Sequence, residues 1–124
     1  MYWKIRRKIL DSWWNFRRAC QRFKRGYAWV DVWDYFDWFI TMSEPMIRHL
    51  QENHCGHPCE YTDEEWTQRL KEMADCLHYM DEWNVIDELY GGDYMKAKEV
   101  SATMEENRKK FFELFSKDFY HLWD

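Results

Sequence analysis

Arg25-Gly26-Tyr27-Ala28-Trp29-Val30-Asp31-Val32-Trp33-Asp34-Tyr35-Phe36-Asp37-Trp38-Phe39 decides how this chain reads. Seven aromatics and three aspartates share these fifteen residues. Gly26 interrupts the helical pattern before it, because glycine tolerates a positive φ at a helix end. After it, Trp29, Trp33, Phe36 and Ile40 recur at the three- and four-residue steps of a buried helix face. The stretch also divides the charge. Through Arg25 the chain holds nine Lys/Arg against Asp11 alone, a balance of +8. The rest holds nine against 22 Asp/Glu, a balance of −13, which gives the net −5. Segregation of this size calls for an acidic partner face, a bound anion, or neutralisation within the chain or between its copies.

Upstream, residues 2–25 read as an amphipathic helix. Tyr2, Ile5, Ile9, Trp13, Phe16, Cys20 and Phe23 form its stripe, with Lys4, Arg7, Lys8, Arg18, Arg22 and Arg25 largely off it. Such a helix can lie on an acidic membrane or a nucleic-acid backbone. Next to an aromatic-rich body that needs covering, the expected role is core helix.

Downstream, a second helix is expected from about Val30 to Asn53, kinked or divided by Pro45 near Met42–Glu44, since proline removes one backbone hydrogen bond. A loop, His54-Cys55-Gly56-His57-Pro58-Cys59, follows. Thr62-Asp63-Glu64-Glu65 then carries the signature of a capping box, and Trp66, Leu70, Met73, Leu77 and Met80 repeat at helical spacing behind it. Trp83, Ile86 and Leu89 continue that pattern to Gly91-Gly92. A last helix spans roughly Asp93 to His121, seamed by Ala97, Val100, Met104, Phe111, Phe115 and Phe119. No alternating β pattern occurs. The expectation is all-α: residues 1–124 as a single helical domain, a compact bundle of four to five helices around an aromatic-rich core.

With 124 residues, 20% of them aromatic, the chain can bury a core without staples. No apolar run reaches the roughly 18 residues of a membrane span, and the basic N-terminus lacks the apolar centre of a secretory signal. The four cysteines then read as reduced thiols in a cytosolic protein, Cys20 and Cys76 as buried apolar groups.

Several chemistries were available to these residues. His54, Cys55, His57 and Cys59 are zinc-capable, but only Cys76 and His78 could complete a tetrahedral site, so zinc is the lesser alternative and no metal or cofactor is expected. Glu64-Glu65 followed by Glu72 and Asp75 resembles the carboxylates of Mg-dependent all-α nucleotide pyrophosphohydrolases, except that Gln68 stands where a third acid belongs. No Gly-x-Ser-x-Gly or phosphate-cradling glycine loop exists. An acidic overall balance argues against nucleic acid. What remains is a non-catalytic binding site in which guanidinium groups hold phosphate and aromatic faces stack on a base.

Arg25-Gly26-Tyr27, Asp31-x-Trp33, Asp37-Trp38, Leu50-x-Glu52-Asn53, Gly56-His57-Pro58, Thr62-x-Glu64-Glu65-Trp66 and Phe115-x-Lys117-x-Phe119-x-x-Leu122-Trp123-Asp124 span most of the chain in order. In these segments it resembles a group of small uncharacterised proteins of tailed bacteriophages and prophages. The resemblance implies the setting alone, a viral protein in the bacterial host cytoplasm; small phage proteins without catalytic motifs often act by stoichiometric binding against host immunity, and the expectation here is such a protein, working as a homo-oligomer. On that reading Arg17, Arg18, Arg22 and Arg25 hold the phosphates of a cyclic or phosphorylated nucleotide signal, and Tyr27, Trp29 and Trp33 stack on it. The alternative is an inhibitor that binds a host defence protein through a surface patch. Neither a membrane nor nucleic acid is expected as a partner.

Overall fold

The computed structural model describes residues 2–123, Tyr2 by its backbone alone. Among the described residues every regular element is helical, as the sequence predicts. In order these are α1 (Tyr2–Arg25), α2 (Trp29–Trp33), α3 (Tyr35–Asn53), α4 (Asp63–His78), the short α5 (Glu82–Asn84) running into a π turn (Val85–Leu89), and α6 (Ala97–Asp118), closed by a 3₁₀ turn (Phe119–His121). The chain forms two compact units, Met1–Trp38 and Phe39–Asp124.

In the second unit, Ile40 and Ile47 of α3, Trp66, Leu70, Met73, Ala74, Cys76 and Leu77 of α4, and Phe111 of α6 form one buried cluster. It is aromatic at its centre. Phe39 stacks on Phe112 and meets Phe111 and Phe115 edge-on, arrangements that suit the ring quadrupole. A smaller cluster joins Val85 and Ile86 of the π turn to Val100 of α6. α4 starts where the sequence says it should. Thr62 accepts the Glu65 amide at 3.2 Å, and the Glu65 carboxylate takes the Thr62 amide at 2.8 Å.

Charges in this unit are paired with care. Asp118 is buried, held by Arg69 Nε at 2.7 Å and the Tyr61 hydroxyl at 3.1 Å. Arg69 Nη2 also lies 2.6 Å from Asp118 Oδ2, as an ion-pair contact rather than an aligned hydrogen bond. Arg48 bridges Glu44 and Asp75, and His78 bridges Glu44 and Glu88.

Of the kink or division expected at Pro45, the division is absent. α3 runs unbroken through it, and the interruption falls at Asp34, whose backbone leaves the helical region at φ −128°, ψ 60°. Proline costs α3 one hydrogen bond, which a long, packed helix absorbs. Asp34 is a poor helix former that α2, at five residues, cannot hold in register.

The larger departure concerns the stripes. Of the face Trp29, Trp33, Phe36 and Ile40, only Ile40 is buried, and Trp33 is 78% exposed. Ile5, Ile9, Trp13, Phe16 and Phe23 of α1 are all exposed as well. Periodicity identifies an apolar face but not what covers it. Within the first unit nothing covers this face of α1, so the expected core role is not met there.

Candidate functional site

In the first unit, the last turn of α1 organises α2. Gly26, at φ 82°, lets the chain reverse, and its amide still reaches the Arg22 carbonyl at 2.8 Å. Asp31, buried, takes the Ala28 amide at 2.7 Å and so caps α2 from within. Arg22 closes on the same carboxylate, Nη2 to Oδ1 at 2.7 Å and Nε to Oδ2 at 3.1 Å. Gln21 Oε1 accepts the Trp29 amide at 3.0 Å. These contacts set Trp29 beside α1.

The result is a cleft of about 270 Å³ lined by Trp14, Arg17, Arg18, Gln21 and Trp29. Two indoles and two guanidinium groups thus share its lining. The Arg17 guanidinium lies 5.4 Å from the Trp14 ring centroid, within cation–π range. Among the described residues neither Arg17 nor Arg18 has a carboxylate at ion-pair distance. Trp29 also borders a second, more open cleft with Arg25, Tyr27, Val32 and Trp33. There Arg25 sits 4.6 Å over the Tyr27 ring, and Trp29 meets Trp33 edge-on at 5.8 Å.

The expected ligand set is therefore redistributed. Arg17, Arg18 and Trp29 come together in the first cleft, and Arg25, Tyr27, Trp29 and Trp33 in the second. Arg22 belongs to neither. Its hydrogen bond to Asp31, working against the cost of burial, raises its pKa further and lowers that of Asp31. Trp14 and Gln21 were missed. They share one helix face with Arg17 and Arg18 at positions i, i+3, i+4 and i+7, a polar-aromatic pattern hidden beside the more obvious apolar stripe.

The zinc alternative fares differently. The His54 ring contacts the Gly56 carbonyl and the Thr67 hydroxyl, each at 3.0 Å, and His57 Nδ1 donates to the Pro58 carbonyl. Among the described residues, no three His, Cys, Asp or Glu side chains gather as metal ligands. The pyrophosphohydrolase carboxylates are likewise engaged. Glu65 caps α4, Glu72 accepts from Gln68 at 3.3 Å, and Asp75 is bridged by Arg48 and Lys71.

Comparison with protein-family models, curated proteins and solved structures finds no match to this chain.

Proposed function

We propose that the protein is a non-catalytic binding protein that holds a nucleotide-like anion in the cleft between Trp14 and Trp29. One observation carries this reading: Arg17 and Arg18 line a small cleft together with two indoles, and among the described residues no carboxylate lies within ion-pair distance of either. Guanidinium groups bind phosphate oxygens in pairs of parallel hydrogen bonds. Indole faces stack on a base without needing to recognise which base it is. Gln21, whose Oε1 is already committed to Trp29, keeps its amide NH₂ for a third contact. The cleft supplies no nucleophile or gathered acid, so the chemistry it supports is capture rather than turnover.

The resemblance to small tailed-phage proteins supplies the setting. A chain of this kind, made in quantity in an infected bacterium, lowers the free concentration of a nucleotide immune signal by binding it. A second reading, an inhibitor of a host defence protein, draws on the aromatic surface formed by Tyr27, Val32, Tyr35 and Trp38, where Tyr35 stacks on Trp38 at 5.8 Å.

Native mass spectrometry of the protein purified from bacteria, followed by thermal melting with cyclic and linear nucleotides, tests both. Capture predicts a retained or added nucleotide mass. It also predicts about 2.7 kcal/mol of stabilisation at a hundredfold excess over Kd. No nucleotide response, together with a co-purifying host protein, overturns it in favour of the second reading.

A further inference from the structure

We infer that α1 also docks on an anionic lipid bilayer, lying in the headgroup plane with its Ile5-Ile9-Trp13-Phe16-Phe23 face inserted. At 3.6 residues per turn these five side chains fall in one narrow arc of the helix, and all are exposed, Ile9 at 64% and Phe23 at 93%. Arg6, Arg17 and Lys24 flank that arc, and Lys4, Arg7, Arg18, Arg22 and Arg25 lie on the far side.

A bare apolar face alone does not name its occupant. Here the charge does. A second α1 brings no counter-charge, since its one acid, Asp11, faces nine cations, and pairing two copies along this face sets the flanking Arg6, Arg17 and Lys24 of each beside like charges. Nucleic acid would satisfy the cations and leave the apolar face in water. An anionic bilayer engages both at once: the apolar face enters the boundary between headgroups and acyl chains, while the flanking Arg and Lys reach up to lipid phosphates. Trp13 on the face suits the same depth, where indoles are favoured for their apolar body and N–H. Among the described residues no helix is long and apolar enough to cross a membrane, so the contact is one of lying on the bilayer. This inference does not rest on the nucleotide reading, whose cleft lies on another face of α1 and shares only Arg17 with the flank of this one.

Flotation of the full chain with vesicles of phosphatidylcholine alone, or mixed with phosphatidylglycerol, tests it. Tryptophan emission is followed in parallel. The expected result is at least about tenfold stronger binding to the anionic vesicles, with a blue shift and weakening in high salt. The double variant Ile9→Glu, Phe16→Glu, at two exposed sites, should keep its helical circular dichroism and any nucleotide response, and lose the vesicles. Three results overturn the inference. One is no preference for anionic vesicles. Another is equal vesicle binding by the double variant. The third is a concentration-dependent dimer, or retention by nucleic acid, without vesicle binding.

Discussion

Arg22 and Asp31 face each other across the turn between α1 and α2, joined by two parallel contacts of 2.7 and 3.1 Å. The same carboxylate caps α2 through the Ala28 amide. One aspartate thus ends one helix, starts the next, and removes one arginine from the set available to a ligand. Asp31→Ala should cost about 1 kcal/mol, the usual loss for a missing cap, and speed amide exchange at residues 28–31. The Arg22 hydrogen bond, opposed by burial and aided by the Ala28 amide, holds the Asp31 carboxyl below the usual carboxylate range. Its stabilisation is therefore present above the unfolded value of about 4 and lost as pH falls through the lower folded value. Acid melting followed at residues 28–31 should show that loss in the wild type and not in Asp31→Ala.

The cleft makes a separable prediction. Arg17→Ala and Arg18→Ala should each weaken nucleotide binding about tenfold, the worth of one charge-assisted contact of about 1.5 kcal/mol. Trp14→Ala and Trp29→Ala should each lose a stacking contribution of about 1–3 kcal/mol. Arg22→Ala should leave the phosphate contacts in place and act only through the position of Trp29. Isothermal titration across these five variants checks the pattern. Equal losses from Arg22→Ala and Arg17→Ala would mean that the cleft is not where the anion sits.

How much of this was readable beforehand varies by region. The start of α4 was legible to the residue, because Thr62 and Glu65 satisfy each other through contacts three positions apart. So was the buried row Trp66, Leu70, Met73 and Leu77, since local spacing and tertiary burial agree there. α1 and the start of α3 were legible as helices but not as surfaces. The same spacing that buries Leu70 leaves Phe16 and Phe36 in water, because periodicity specifies one side of an interface only. Arg22 was legible as a cation yet not as a committed one. Its partner lies nine residues away, across a turn whose geometry depends on Gly26.

The Arg69–Asp118 pair makes the second unit vulnerable at one point. Asp118 is 1% exposed, and Arg69 and the Tyr61 hydroxyl are its partners. Removing one member of a buried pair leaves the other desolvated and uncompensated, at about 3–5 kcal/mol. Arg69→Ala and Asp118→Ala should each lower stability by that order in urea denaturation. Tyr61→Phe, which removes one hydrogen bond and keeps the ring stacked on Trp66, should cost about 1 kcal/mol. If the double variant lost as much as the two singles summed, the two residues would be independent and the pairing energetically empty.

His78 gives the fold a dependence on pH that sets in near its unfolded value of 6.5. Burial alone would lower its pKa, but Glu88 at 2.7 Å and Glu44 at 3.1 Å favour the imidazolium and outweigh it, so the folded pKa stands above the ordinary 6.5. The groups around it are themselves placed. Arg48 shares Glu44, Asn84 donates to the His78 carbonyl, and Tyr79 donates to Glu88. A raised folded pKa means that the stabilisation is fully present below the unfolded value and is lost as pH rises through the folded one. The wild type should therefore weaken on going from mildly acidic to mildly alkaline solution, across the interval that begins near 6.5. His78→Gln, which keeps hydrogen bonding but cannot be charged, should be less stable at the acidic end and match the wild type at the alkaline end. Urea midpoints for both proteins, with the His78 ring titrated by NMR, decide it. A flat difference between the two across that range would mean that the imidazolium contributes nothing to holding α4 against the π turn.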